Sequence, residues 1–140
     1  MTDSIINTSD VNDADVVILS APYEATVSSK KGTKRGPSAV IKMLKSKLEL
    51  FDRNYKMQPA DKIKIAEKAI GMSFLPPEKA LKKITDECGE ILDKGKFVFL
   101  LGGEHSVSLG LLTAIANNQT KRVDPKETTI LHIDAHCDLR

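Results

Sequence analysis

Apolar residues in this chain fall into short unbroken runs that alternate with longer stretches of three- and four-residue spacing. Residues 16–20, Val-Val-Ile-Leu-Ser, are mostly β-branched, as expected of a strand covered on both faces in a parallel sheet. Ala21-Pro22 ends that run, and the polar, glycine-punctuated residues 23–36 predict a loop at the strand's C-terminal end. Pro37 suits a first helical turn, and Val40, Ile41, Leu44, Leu48 and Phe51 then predict one apolar helix face down to about Asp52. Residues 62–67 alternate strictly, which predicts a strand with one partly exposed face, at an edge. Pro76-Pro77-Glu78 opens a second helix, with Ala80, Leu81, Ile84, Cys88, Ile91 and Leu92 on one face and Gly95 as its stop. Residues 97–101, Phe-Val-Phe-Leu-Leu, predict another fully apolar strand, followed at once by Gly102-Gly103-Glu104-His105-Ser106. There the glycines are expected to let the backbone turn sharply, and Ser106 or a neighbour to cap a helix reaching about Asn117-Asn118. A charged loop through Pro125 leads to residues 129–133, Thr-Ile-Leu-His-Ile, the last predicted strand.

Strands alternating with helices in this order specify an α/β fold, a parallel sheet flanked by helices in three layers with right-handed crossovers. Such sheets bind ligands beyond the carboxyl ends of their strands. Two polar groups stand there: His105 after residues 97–101, and Asp134, His136 and Asp138 after residues 129–133. In extended chain the three alternating residues leave one side of the strand, so two carboxylates and an imidazole converge. Like charges that close require a cation, and a metal is the simplest one. Oxygen-rich donors with one or two imidazoles favour manganese or magnesium over structural zinc, and the set has oxygen enough for two ions. His132 alternates with the set but lies among apolar residues, so it is expected in the core or supporting a ligand. Cys137 points the other way and is read as packing, and Cys88 as core.

Composition narrows the field by exclusion. With 41% hydrophobic and 29% charged positions in 140 residues, the chain suits one soluble globular domain. Its formal charge of +2, from 21 basic and 19 acidic residues largely interspersed, builds no field for nucleic acid or a membrane surface. The densest basic run, Lys30, Lys31, Lys34 and Arg35, reads as a solvated loop. No apolar run approaches membrane-spanning length, and residues 1–15 are expected to be a loosely held, flexible end. Two distant cysteines without a secretory pattern point to a cytoplasmic location. Residues 32–37 lack the Walker spacing, no Gly-x-Gly-x-x-Gly follows a strand, and there is no nucleophile elbow. Nucleotide binding and Ser-His-Asp hydrolysis are therefore weak readings.

Gly102-Gly103-Glu104-His105-Ser106 together with His132-Ile133-Asp134-Ala135-His136-Cys137-Asp138 resembles the first two metal-binding motifs of the arginase and agmatinase family, the ureohydrolases. Ala21-Pro22-Tyr23 and Gly32-Thr33-Lys34-Arg35-Gly36-Pro37 also resemble agmatinase segments, so the resemblance runs from about Val16 to Arg140. Glu104, where arginases usually carry aspartate, and Leu139-Arg140 lean towards the agmatinase branch in its prokaryotic or archaeal form. The resemblance implies two manganese ions and a hydroxide that attacks a guanidinium carbon, converting agmatine to putrescine and urea in polyamine biosynthesis. Carried over by position, His105 and Asp138 would bind one ion, His136 the other, and Asp134 both. Family members run to roughly twice this length. Their second half carries two further metal-binding aspartates, a proton-handling histidine and a carboxylate for the substrate. It also supplies strands lying between the two that end in the metal motifs here.

Residues 1–140 are accordingly expected to be the N-terminal part of a single arginase-like ureohydrolase domain, incomplete without that second half. Guanidino hydrolysis would belong to the complete protein, a homo-oligomer acting on a small guanidino substrate, with no nucleic acid or membrane partner. Arginase, guanidinobutyrase and formimidoylglutamase activities are alternatives. So is a catalytically incomplete metal-binding or interaction module that associates with a complementary half.

Overall fold

The most apolar run becomes the central strand of the sheet. In a computed structural model, which describes residues 4–46, 49–118, 128–136 and 138, strand β1 (Val16–Ala21) lies between β2 (Ile65–Ala69) and β3 (Phe97–Gly102). Both pairings are parallel, with Val16 opposite Ile65 and Phe97, and Ala21 opposite Gly102. Helix α1 (Gly36–Ser46) connects β1 to β2, α2 (Pro77–Asp93) connects β2 to β3, and α3 (Val107–Asn117) follows β3. The first crossover runs outward from β1 to β2 and the second returns the other way, past β1 to β3, so right-handed connection sets α1 and α2 against opposite faces. This is the predicted α/β arrangement of a parallel sheet with flanking helices.

The two faces are unequal. Val17, Leu19 and Ala21 of β1, Ala66 of β2 and Val98 of β3 pack with Ala80, Ile84, Cys88 and Ile91 of α2 and with Val107 and Ala114 of α3. Ile84 and Ile91 are almost wholly covered, and each such side chain contributes about 1.5–3 kcal/mol by leaving water. Cys88 is in this core, as predicted, and burial with the charge of Glu87 pushes its thiol up to about 12. On α1 only Pro37 is buried among the described residues, and Phe97 and Phe99 of β3 remain 63% and 51% exposed.

Four expectations are corrected. Helix α1 is described as Gly36–Ser46, and its predicted reach to about Asp52 fails at residues 49–52, which are not helical; there the Asp52 carboxylate accepts the backbone N–H groups of Asn54 (2.8 Å) and Tyr55 (3.1 Å) in a turn. Leu48 lies outside the described residues. Strand β2 begins at Ile65, three residues late, because the N–H groups of Lys62 and Ile63 donate to the Pro59 carbonyl (2.9 and 3.0 Å) in a 3-10 turn. The supposedly loose end is tied down from Asn7 onward. The Asn7 side chain donates to the carbonyls of Ala60 (2.7 Å) and Ile63 (2.9 Å) and accepts from the Ile65 N–H (2.8 Å), while Ala14 is buried.

Finally, residues 129–133 form no strand. Ile130, Leu131 and Ile133 are 65%, 83% and 89% exposed. A strand exists only with a ladder partner, and among the described residues the edge of β3 away from β1 carries none. No helix among the described residues is long and apolar enough to cross a membrane.

Candidate metal centre

The site grows from the parallel ends of β1 and β3. Past these ends the two chains stay in contact: Gly103 N–H donates to the Ala21 carbonyl (3.1 Å) and Glu104 N–H to the Tyr23 carbonyl (3.0 Å). A Cβ on Gly103 would stand 2.1 Å from the Tyr23 carbonyl oxygen, and one on Gly102 would stand 2.2 Å from Val107 Cγ2. Neither glycine has a positive φ. The chain bends at Gly103 as expected, and what the pair provides there is close backbone approach where a side chain would clash.

Glu104 is the residue whose part the sequence reading did not see. It is buried, and its Oε2 accepts the N–H groups of Ala25 and Thr26, both at 2.7 Å. Its Oε1 accepts the hydroxyls of Thr26 (2.5 Å) and Ser106 (2.6 Å). Burial pushes its carboxyl up, but the hydrogen bonds from Ser106, Thr26 and Ala25 outweigh that and hold it below the usual glutamate range. Ser106 stands at the helix N-cap as expected, yet its hydroxyl serves Glu104, not the helix. A carboxylate placed directly after an apolar strand and two glycines was the available signal, since such a crowded turn buries it.

The loop after β1 has a second clamp. The Glu24 carboxylate accepts from Gly32 N–H, from the Thr33 hydroxyl (3.1 Å) and from Lys34 N–H (3.3 Å). The Gly32 bond is the main cause that lowers its pKa. Lys30, Lys31, Lys34 and Arg35 around it are exposed, as a solvated loop requires.

His105 points outward from this anchored base, with its side chain 62% exposed. Its Nε2 lies 3.2 Å from Asp138 Oδ2 and its Nδ1 lies 4.0 Å from Asp134 Oδ2. The two motifs thus lie side by side, although residues 128–136 do not run as a strand. Their arrangement differs from simple alternation. Asp134 Oδ1 accepts the backbone N–H of His136 (2.9 Å), which bends the chain, and Asp138 has φ 51°. That N–H is the main cause holding the Asp134 carboxyl below its ordinary value. Burial opposes it, and the imidazoles of His132, His105 and His136 add to it. His136 Nδ1 lies 3.6 Å from Asp134 Oδ1.

Of the two readings of His132, the core one is corrected, since its side chain is 41% exposed. Without a ladder to direct it, its ring stands edge-on to His105 (centroids 5.9 Å apart, 80° between planes), with Nε2 3.8 Å from Asp134 Oδ2 and 4.0 Å from Asp138 Oδ2. His105, His132 and Asp138 each offer a ligand atom within 4.8 Å of the others. Nitrogen and carboxylate oxygen converging in this way fit a divalent ion such as manganese. A cavity of about 370 Å³ opens nearby between Tyr23, Glu24, Lys34 and Phe74, but none of the candidate ligands lines it. Cys137, Leu139 and Arg140 lie outside the described residues.

Comparison with known proteins bears on both fold and chemistry. A family model described as the arginase family matches residues 14–140. The N(1)-aminopropylagmatine ureohydrolase of Synechocystis sp. is 33% identical over 133 residues, covering 91% of this chain and 42% of that protein. The agmatinase of Bacillus subtilis is 32% identical over 128 residues, with the same coverage of 91% and 42%. The chain thus spans well under half the length of these relatives. Among solved structures, a formiminoglutamase variant from Trypanosoma cruzi with Mn2+ superimposes with a TM-score of 0.70 at 25% identity, over 81% of this chain and 40% of that one.

Proposed function

This chain belongs to the arginase family, and from that premise we propose that the complete protein is a manganese-dependent ureohydrolase of the agmatinase type, hydrolysing agmatine to putrescine and urea. The observation that carries this reading is the meeting of His105 with Asp134 and Asp138 beyond the sheet, at 4.0 and 3.2 Å. In it His105 and Asp138 would hold one manganese ion, His136 would hold a second, and Asp134 would serve both. When bound, manganese supplies Lewis acidity that makes water nucleophilic at neutral pH.

The chain's own residues contribute position and charge. Asp134, ionised at neutral pH, is oriented by the His136 N–H, so its Oδ2 is left facing His105 and His132. Together Asp134 and Asp138 concentrate negative charge where a cation is to be held. The same charge favours approach of a positively charged guanidinium group. His132 stands beside both carboxylates, its Nε2 3.8 and 4.0 Å from them, and flanks the centre without being counted among the ligands. Cytoplasmic location and homo-oligomeric assembly of the complete protein belong to the same proposal.

The test is a pair of measurements on the purified 140-residue chain. Manganese should bind and should be lost on His105→Ala or Asp138→Ala, whereas urea release from agmatine should be negligible at any manganese concentration. Manganese-dependent turnover by this chain alone would overturn the assignment of activity to the longer protein. Absence of manganese binding would overturn the metal centre. A second reading within the family rests on the likeness to a manganese-containing formiminoglutamase. A panel of agmatine, N(1)-aminopropylagmatine, arginine, guanidinobutyrate and formiminoglutamate, offered to a version extended to family length, separates the activities. A non-catalytic module that pairs with a complementary half is supported by the exposed Phe97 and Phe99 beside the edge of β3 that has no partner strand among the described residues. Failure of the extended protein to turn over any of the panel would favour it.

A further inference from the structure

We propose that Glu104 is a positioning residue for the metal centre: its carboxylate clamps the segment after β1 to the segment after β3 and so holds the His105 backbone where the imidazole meets Asp134 and Asp138. The inference rests on the reading of His105 as a metal ligand and extends it to the residue beneath it. Sequence neighbours here face opposite environments, since Glu104 is 7% exposed and the His105 side chain 62%.

Four donors from two loops reach the Glu104 carboxylate: the N–H groups of Ala25 and Thr26 at one oxygen, the hydroxyls of Thr26 and Ser106 at the other. The backbone is held as well. Glu104 N–H donates to the Tyr23 carbonyl (3.0 Å), and the His105 carbonyl accepts from Ser108 N–H (3.1 Å) in the first turn of α3. His105 is thus fixed on both sides, by Glu104 before it and by the Glu104-bound hydroxyl of Ser106 after it, while its ring stays free to face the carboxylates. Partners beneath a ligand that set its orientation affect metal affinity nearly as much as the ligands do.

The pattern of donors also separates shape from charge. Glutamine at 104 can place its amide oxygen under the two backbone N–H groups and donate its NH2 to the two hydroxyls, which rotate to accept. Alanine leaves both N–H groups without their partner. The clamp therefore survives loss of charge and fails on loss of the side chain.

The experiment measures Mn2+ affinity of the whole chain by electron paramagnetic resonance of free Mn2+, beside thermal unfolding. Glu104→Ala is expected to weaken binding about 10–100-fold and Glu104→Gln less than about threefold. Thr26→Val, an exposed isosteric change that removes one of the hydroxyl donors, should weaken binding several-fold and keeps the test open if Glu104→Ala does not fold. Thr85→Val, which removes a hydroxyl's bonds to the Leu81 and Gly110 carbonyls (3.0 and 3.2 Å) between α2 and α3, should lower the melting temperature and leave affinity unchanged. The inference is overturned if Glu104→Ala binds like wild type, if Glu104→Gln loses as much as Glu104→Ala, or if Thr85→Val weakens binding equally. It is also overturned if Thr26→Val binds like wild type. His105→Ala distinguishes the two levels. Wild-type affinity in that variant refutes the ligand assignment and the inference with it, whereas lost binding there with unchanged Glu104→Ala refutes the inference alone.

Discussion

Gly103→Ala and Gly89→Ala make the same chemical change and should move stability in opposite directions. At 103 the new Cβ would stand 2.1 Å from the Tyr23 carbonyl oxygen and 3.0 Å from Tyr23 C and N. These are backbone atoms, so no side chain can swing aside; the two segments must part by more than an ångström. Parting them breaks the hydrogen bonds Gly103 N–H to Ala21 (3.1 Å) and Glu104 N–H to Tyr23 (3.0 Å). Overpacking costs about 1–3 kcal/mol and each lost bond about 0.5–1.5 kcal/mol, so the expected loss is about 2–6 kcal/mol. Gly89 lies within α2 with nothing inside 4 Å of its Cβ position, so alanine there should gain about 0.5–1 kcal/mol by helix propensity. Urea unfolding followed by circular dichroism at helical wavelengths reads both, and equal slopes would confirm that native compactness is unchanged. A Gly103→Ala chain as stable as wild type would refute the close-approach reasoning, as would a Gly89→Ala chain that loses as much.

Two further outcomes follow from single groups. Cys88, with its thiol pushed up to about 12, should resist iodoacetamide at about pH 8.5, where an ordinary thiol is half ionised. Peptide mapping should find it alkylated only after denaturation, and modification in the folded chain at a free-thiol rate would contradict its burial. Glu24 has a depressed folded pKa, so the stability it lends the 24–34 loop is complete above the ordinary glutamate value of about 4.3 and is lost as pH falls through the lower folded value. The Gly32 amide proton, which donates to Glu24, should report that titration by NMR, and a midpoint at or above about 4.3 would reject the clamp.

Local pattern alone determined much of the architecture. The α2 helix was legible from Pro77 to its end because its apolar positions return every three or four residues and all meet the one face of the sheet that is packed. The apolar strands β1 and β3 were legible because β-branched and aromatic runs have few other places to go. His105, Asp134, His136 and Asp138 were nameable as candidates from spacing and residue type. What tertiary structure decided were matters of partnership. Residues 129–133 have the composition of a strand and, among the described residues, no neighbour to pair with, so the alternation expected of Asp134, His136 and Asp138 gives way to a bend and His132 joins them. The late start of β2 comes from competing bonds at Pro59, and a turn at Asp52 stands where the apolar periodicity after α1 would have continued the helix. Glu104 could not be understood from its neighbours, because its backbone donors Ala25 and Thr26 lie 79 and 78 positions earlier. Periodicity records which face of a segment leaves water, a local quantity; pairing, close approach and carboxylate satisfaction depend on groups far apart along the chain, and only folding brings them within bonding distance.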